Sequence, residues 1–342
     1  MGAFSARYRK YIRKAWNCTF RRVTFRACDT SFKQDVKDRL LAPVAARRPG
    51  LVRPASIGLE VISILLVLTT IWSGYTVVKS GLNLYVYGTC NKENSESCTL
   101  GAESCSVADP NPTFTQSLRT FDVIGAFRNE FVSLGDTIEA IPSRLRDWKA
   151  EDYLPANESY LETYSASKKT ALEVIDPGCR FCRQLFQNIK KAHFADRYNL
   201  SYVAFPISTG NTYKFPNSLL VSQYLEALRL NPVADAKTPV DWQILDHIFT
   251  GKTTSGLSYQ DYINGNDHAD VVTLLNGWLA KAGMTPDQIA NIATVAASDR
   301  VADIIKANHS LVIDKIDTVK IPTIIFDGRR HDGLVSVDGL SK

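Results

Sequence analysis

The chain has 342 residues, of which 45% are hydrophobic and 22% charged, so most of it should fold. Its formal net charge of +5 is concentrated before residue 55, where fourteen Lys and Arg side chains accompany three Asp. A basic segment binds either nucleic acid or anionic lipid. The apolar segment that follows favours lipid and membrane topology, so we expect no nucleic acid partner.

Residues 1–55 are predicted to be a basic cytoplasmic arm, with an amphipathic helix in its first half. Residues 56–79 are predicted to be a single transmembrane helix, because 61–78 carries no charge and the whole run reaches roughly the 20 residues that span a bilayer. A buried core helix would not need so long an apolar run, and a cleaved signal peptide would begin earlier.

The position of the basic arm predicts the orientation of this helix. Positive charge collects on the cytoplasmic side, so the N-terminus is expected in the cytoplasm. The chain would then be a single-pass protein of the inner (cytoplasmic) membrane. Everything after residue 80 would lie in the periplasm or outside the cell.

Residues 80–165 are predicted to be a connector in two pieces. The first is polar and turn-rich and carries three cysteines. In the second, from Thr113 to Trp148, apolar residues recur at helical spacing and predict one or two amphipathic helices. This apolar stripe is expected to pack on the following domain or to form a homodimer through 113–148.

Cysteine usage agrees with this topology. Cys18 and Cys28 fall on the reducing side and are expected to be free thiols, whereas disulfides persist on the outer side. If Cys179 pairs with Cys182, the connector is left with an odd number of cysteines, and one could pair across a dimer. The connector cysteines are Cys90, Cys98 and Cys105. Zinc binding by these three is disfavoured by their loose spacing and by the lack of a nearby His.

The stretch EVIDPGCRFCRQL contains the candidate chemistry. An apolar strand over 170–176 is followed by a Pro-Gly turn and then by a helix that begins at Cys179. The helix dipole and neighbouring arginines stabilise a thiolate at that position. Such a thiolate attacks disulfides, and Cys182, one turn along, resolves the mixed disulfide. The alternatives are an inert structural disulfide and half of a zinc site, for which two further ligands are lacking, so no metal or other cofactor is expected.

Strand, turn, CxxC and helix resemble the thioredoxin superfamily, and three further features are similar. The stretch LSYVAFPIS (200–208) is similar to the strand that follows the active-site helix in the DsbC/DsbG group. Glu173 lies six residues before Cys179, where the resemblance implies a buried acid that relays protons to the second cysteine. The stretch KIPTIIFDGRR is similar to the cis-proline strand. In that match Pro322 is the cis-proline, and Ile321 and Thr323 beside it position the substrate.

The segment of about 208–319 is helical in pattern and resembles the insertion of the DsbA-like branch, which includes DsbA, DsbC and DsbG. Residues 166–342 are therefore predicted to be an α/β domain with a thioredoxin-like fold and a long helical insertion. The last strand is expected at 333–337, so that the usual terminal helix is absent or barely started. The Arg180-Phe181 dipeptide leaves oxidase, reductase and isomerase open.

Two functions follow from these patterns. The first is a protein thiol–disulfide oxidoreductase or isomerase that acts on exported proteins and uses a membrane or periplasmic electron partner. The alternative is a membrane-anchored binding or assembly component of an envelope complex, such as a secretion, conjugation or respiratory complex, that retains the fold. The connector and the basic arm motivate the alternative.

Overall fold

The computed structural model describes residues 45–98, 101–107, 113–233 and 238–341, together with a few isolated positions before residue 44. They divide into two compact units, Met1–Val78 and Lys79–Lys342. The helix predicted early in the basic arm lies largely outside the described residues, as do Cys18 and Cys28.

The apolar segment forms helix α1 (Val52–Tyr87), preceded by a 3-10 turn over Pro49–Leu51. This helix is long and apolar enough to cross a membrane, and its most apolar stretch is not buried. It continues past the predicted end at residue 79, so the first residues of the predicted connector are helical.

The connector contains a short strand, β1 (Cys105–Ser106), and two helices, α2 (Phe114–Arg119) and α3 (Val123–Glu139). One or two amphipathic helices were predicted here. The last turns of α1 pack on α3 through buried polar contacts. Lys79 Nζ lies 2.8 Å from Glu130 Oε1, and Thr137 donates to Asn83 Oδ1 at 2.8 Å. These contacts explain why the helix does not stop at 79.

The apolar stripe of the connector does not pack on the following domain along its length. Ile124 and Leu145 are 83% and 81% exposed, whereas Trp148 at the end of the stripe is 4% exposed and belongs to the core. The expected packing therefore holds at the C-terminal end of the stripe. The homodimer through 113–148 stays a prediction.

The C-terminal domain is built on a four-stranded sheet in the order β3-β2-β7-β8. Strand β2 (Lys169–Ile175) pairs in parallel with β3 (Tyr198–Ala204) and antiparallel with β7 (Thr323–Phe326), which pairs antiparallel with β8 (Arg329–Asp332). Helix α4 (Arg180–Lys191) connects β2 to β3. A parallel pair joined through the CxxC helix, followed by an antiparallel pair, is a thioredoxin-like α/β fold, as the sequence predicted.

Helices fill most of the segment between β3 and β7, which confirms the predicted insertion. They follow a small hairpin of β4 (Ser208–Thr209) and β5 (Thr212–Tyr213). The helices are α5 (Ser218–Leu230), α6 (Val240–Thr250), α7 (Tyr259–Gly265), α8 (His268–Lys281), α9 (Pro286–Ala296) and α10 (Asp299–Ser310). A π-helical turn (Leu311–Ile316) leads to β6 (Lys320–Ile321). Helix α7 was not predicted, because seven residues are too few to show an apolar period.

The strand predicted at 333–337 is wrong. The last strand is β8, formed by the charged stretch RRHD that precedes the predicted one. Arg330 in this stretch is buried, pairs with Asp332 at 3.0 Å and lies over the Trp148 ring. Its charge therefore does not mark a loop. A short helix, α11 (Val337–Ser341), follows and buries Leu340, so a terminal helix is present in reduced form.

A cluster of charged groups is buried between the sheet and the insertion. Arg229 donates to the Tyr202 carbonyl at 2.7 Å and pairs with Glu226 and Asp241. Asp241 also accepts hydrogen bonds from Ser159 Oγ at 3.0 Å and from Tyr202 OH at 2.9 Å. Since these groups lie away from water, each depends on its partners for compensation.

We expect Asp241→Asn to lower the free energy of unfolding by about 3–5 kcal/mol, because it leaves the Arg229 guanidinium buried with less compensation. Urea titration of the detergent-solubilised full chain, followed by tryptophan fluorescence, measures this loss. Asp246→Asn on the same helix is the matched control. Its exposed pair with Lys190 should contribute about 1 kcal/mol or less. Equal losses for the two variants would contradict the expectation.

Candidate disulfide-exchange site

The turn between β2 and α4 is fixed by a buried carboxylate. Asp176 accepts hydrogen bonds from the Gly178 amide at 2.7 Å, from the Ile207 amide at 2.8 Å and from the Ser218 hydroxyl. Burial raises the pKa of Asp176 to about 6, and the hydrogen bonds oppose that rise. The sequence showed Asp176 as the end of a strand but gave no sign of this role.

Side chains of the helical insertion hold the same turn through hydrogen bonds to its carbonyls. Gln260 on α7 donates to the Pro177 carbonyl at 2.7 Å and to the Cys179 carbonyl at 3.0 Å. Asn264 donates to the Gly178 carbonyl at 2.9 Å. These two residues were missed from the sequence because the helix that carries them was missed.

Gly178 stands immediately before the first cysteine, in a place that a larger side chain could not occupy. A Cβ added there would lie 2.4 Å from Phe215 Cβ. Packing of Phe215 against the turn therefore excludes a side chain at position 178. The aromatic ring beside this turn comes from the insertion.

Cys179 is the N-cap of α4 and Cys182 lies in its first turn, as predicted. Both are fully buried. The Asp176 amide donates to Cys182 Sγ at 3.4 Å. Burial, followed by the nearby Glu173 carboxyl, raises the pKa of Cys182 well above its usual value. In this state Cys182 is a protonated thiol with little nucleophilic character.

Glu173 lies on β2, is 1% exposed, and has no hydrogen-bond partner for either carboxyl oxygen among the described residues. Burial raises its pKa to about 8. An acid in this environment is uncharged near neutral pH, and a small change in its surroundings moves its proton.

The predicted cis-proline strand is present. The Ile321–Pro322 bond is cis and separates β6 from β7. The Ile321 carbonyl oxygen lies 3.6 Å from Cys179 Sγ. Thr323 is buried, and its hydroxyl donates to the Lys320 carbonyl at 2.6 Å. The structure thus brings the backbone beside Pro322 next to the first cysteine.

The redox disulfide predicted between Cys179 and Cys182 is not the one that the structure contains. Cys179 is bonded to Cys105 of the connector, and Cys90 is bonded to Cys98. Among the described cysteines, Cys182 is the one outside a disulfide. The reason is strand pairing: Cys105 lies opposite Ile321 in the antiparallel pair of β1 and β6, which brings its Cα to 6.2 Å from that of Cys179.

No protein-family model matches the chain, and no curated protein matches it significantly. Solved structures that resemble it are thioredoxin-like and DsbA-type proteins. A thioredoxin-like oxidoreductase from Silicibacter pomeroyi is 15% identical, with 54% of this chain and 88% of that one covered and a TM-score of 0.38. α-DsbA1 from Wolbachia pipientis is 15% identical, with 56% of this chain and 91% of that one covered and a TM-score of 0.39. ScsC from Proteus mirabilis is 14% identical, with 66% of this chain and 94% of that one covered and a TM-score of 0.38.

The thioredoxin-like fold is assigned from the structure itself. Its basis is the strand order β3-β2-β7-β8, the cis bond before Pro322 and the position of Cys179 at the start of α4.

Proposed function

We propose that the chain is a membrane-anchored thiol–disulfide oxidoreductase that exchanges disulfides with exported proteins through Cys179 and Cys182. One observation supports this most. Cys179 is in a disulfide with a cysteine on an extended strand, that strand is paired beside Pro322, and a free thiol lies one helical turn away. Three sulfurs in this order are what disulfide exchange requires.

Cys179 is the proposed nucleophile. As the N-cap of α4 it faces the unpaired amides and the positive end of the helix dipole, which favour a thiolate when its disulfide is open. That thiolate attacks a substrate disulfide and forms a mixed disulfide, releasing one substrate thiolate. Cys182 then attacks Cys179 Sγ, the Cys179–Cys182 bond forms, and the second substrate thiolate leaves. In the reverse direction the same steps oxidise a substrate dithiol and leave Cys179 and Cys182 reduced.

Glu173 is the proposed proton acceptor for Cys182. Cys182 Sγ accepts a hydrogen bond from the Asp176 amide, just past the end of the strand that carries Glu173, and the Glu173 carboxyl contributes to the raised pKa of Cys182. No other hydrogen-bond partner competes for its oxygens within the described residues. Because Cys182 is fully buried, its proton needs an acceptor inside the protein before the thiolate can form.

The substrate strand is proposed to pair with the backbone at Ile321, beside Pro322. The observed pairing of Cys105 with Ile321 supports this, since it shows that the edge of β6 accepts an antiparallel strand with a cysteine next to Cys179. Thr323 fixes the backbone of this edge, because its hydroxyl donates a hydrogen bond to the Lys320 carbonyl.

The proposed location is the inner membrane, with the N-terminus in the cytoplasm and the thioredoxin-like domain in the periplasm or outside. The charge-free part of α1 and the basic arm before it support this orientation. The two disulfides after α1 suit an oxidising compartment. Turnover would also require a membrane or periplasmic electron partner.

One observation favours the alternative, an assembly component of an envelope complex. Cys105 and Cys179 are both buried, so their disulfide could be a permanent bridge that fastens the connector to the domain. A permanent bridge would not open in a glutathione redox buffer, whereas an exchanging one would. The experiment on Cys179 therefore distinguishes the two functions.

We expect Cys179→Ser to reduce catalysed exchange by about 100-fold or more, to the uncatalysed rate, because the sulfur that forms the mixed disulfide in either direction is lost. The measurement is oxidation of a fluorescent dithiol peptide by the detergent-solubilised full chain in a glutathione redox buffer. The double variant Cys90→Ser with Cys98→Ser is the matched control and should stay within about twofold of wild type. Unchanged exchange in Cys179→Ser would sink the proposed function.

We expect Glu173→Gln to slow the step in which Cys182 attacks by about 100-fold, because a carboxamide accepts no proton. In the wild type this step should accelerate as pH rises through about 8, the pKa of Glu173. The variant should lose that acceleration. Single-turnover release of a peptide from its mixed disulfide with Cys179, followed against pH, measures both effects. Matching pH profiles would contradict the role.

Stability gives an independent readout of the same carboxyl. The folded-state pKa of Glu173 is raised from 4.5 to about 8, so its contribution is most favourable below pH 4.5 and is lost as pH rises through 8. The wild-type free energy of unfolding should fall in that window by about 1.4 kcal/mol for each pH unit from this group. Urea titrations of Glu173→Gln across the window should lack that slope.

A further inference from the structure

The connector places its own strand in the groove proposed for substrates. We call residues 102–107 the cap segment. Cys105 lies opposite Ile321 and Ser106 opposite Lys320 in the antiparallel pair of β1 and β6. The pairing with the β6 segment continues at one end, where the Val107 amide donates to the Val319 carbonyl at 3.1 Å. At the other end the Glu103 carbonyl accepts a hydrogen bond at 2.8 Å from the amide of Leu334, which follows β8.

Side chains also hold the cap segment. Lys320 Nζ donates to the Ala102 carbonyl at 3.0 Å and to the Gly88 carbonyl at 2.6 Å. Glu96 accepts a hydrogen bond from the Ser106 amide at 3.1 Å and also pairs with Lys214. The cap segment is therefore docked by groups of the domain and of the connector, and its disulfide is one contact among several.

The docked cap segment closes the site. Cys179 is fully buried and Cys105 is 3% exposed. The edge of β6 beside Pro322 is occupied by β1. An external protein strand cannot pair with that edge, or reach Cys179 Sγ, until the cap segment leaves.

The free thiol of Cys182 allows the closed state to open without an external oxidant or reductant. The Cys182 thiol gives its proton to an internal acceptor, and its sulfur attacks Cys179 Sγ. The Cys179–Cys182 bond forms as the Cys105–Cys179 bond breaks, and the departing Cys105 sulfur takes up one proton. One disulfide and one thiol are present before and after, so no net oxidation or reduction occurs.

We propose that the cap segment is a built-in substrate strand, and that exchange among Cys105, Cys179 and Cys182 switches the groove between a closed and an open state. This inference rests on the proposed function, because it uses the same sulfurs and the same β6 edge. It adds a third redox cysteine, Cys105, and a regulatory contact. The closed state holds the Cys105–Cys179 disulfide, and the open state holds Cys179–Cys182.

The first test follows which of Cys105, Cys179 and Cys182 carries the thiol in the native chain. The detergent-solubilised full chain is incubated with a maleimide, acid-quenched and mapped by mass spectrometry without reduction. Label should accumulate on Cys105 together with a Cys179–Cys182 linkage, because alkylation captures the open state. In Cys182→Ala the Cys105–Cys179 linkage should persist and Cys105 should stay unlabelled. An unlabelled Cys105 in the wild type after prolonged incubation would overturn the switch.

The second test measures blocking. Single-turnover oxidation of a dithiol peptide is compared between the wild type and Cys105→Ser, both purified without reductant. If the open state is a minor population of about 0.1–10%, removing the cap bond should raise the rate roughly 10- to 1,000-fold. The double variant Cys90→Ser with Cys98→Ser removes the other connector disulfide and should stay within about twofold of the wild type.

The outcomes separate the two proposals. A faster Cys105→Ser supports the switch. Equal, measurable rates in the wild type and Cys105→Ser overturn the switch and leave the proposed function standing. No oxidation by either protein, in single turnover and in glutathione buffer, overturns the proposed function and the switch with it. The labelling test needs no substitution at Cys105, so it decides the question even if Cys105→Ser fails to fold.

Discussion

The edge of β6 that the four-stranded sheet leaves unpaired is the constraint around which the site is organised. Strand β2 pairs with β7 and leaves the backbone at Lys320 and Ile321 to be paired from elsewhere. Buried backbone amides and carbonyls without partners are costly, so such an edge needs a strand. Strand β1 supplies it. The position of Cys105, the burial of Cys179 and the exclusion of other strands all follow from that pairing.

The rest of the site is made by elements that are distant in sequence. The insertion supplies Gln260 and Asn264, which hold the carbonyls of the turn between β2 and α4. Strand β2 supplies Glu173 and the turn after it supplies Asp176, two buried acids with different surroundings. Asp176 is satisfied by three hydrogen bonds and acts as a structural anchor. Glu173 has no such partners among the described residues and keeps its proton near neutral pH.

The sequence predicted the parts of the site that are local. Apolar strands, a Pro-Gly turn and an apolar helix face define β2 and α4 within a few residues. The acid before the cysteines and the proline after Ile321 could be matched by position. The partner of Cys179 could not, because three connector cysteines in a polar stretch look equivalent and 74 residues separate Cys105 from Cys179. Helix α7 and strand β8 were missed because one is short and the other carries charges that are buried.

The disulfide between Cys105 and Cys179 also affects how the site responds to oxidative damage. A cysteine with a stabilised thiolate is the one that peroxides carry to sulfenic and then to irreversible sulfinic and sulfonic acids. In the closed state Cys179 is a disulfide sulfur, and the remaining thiol, Cys182, is buried and protonated. Neither presents an accessible thiolate. Under the proposed function, the closed chain is a storage form that keeps Cys179 from irreversible oxidation until a substrate arrives.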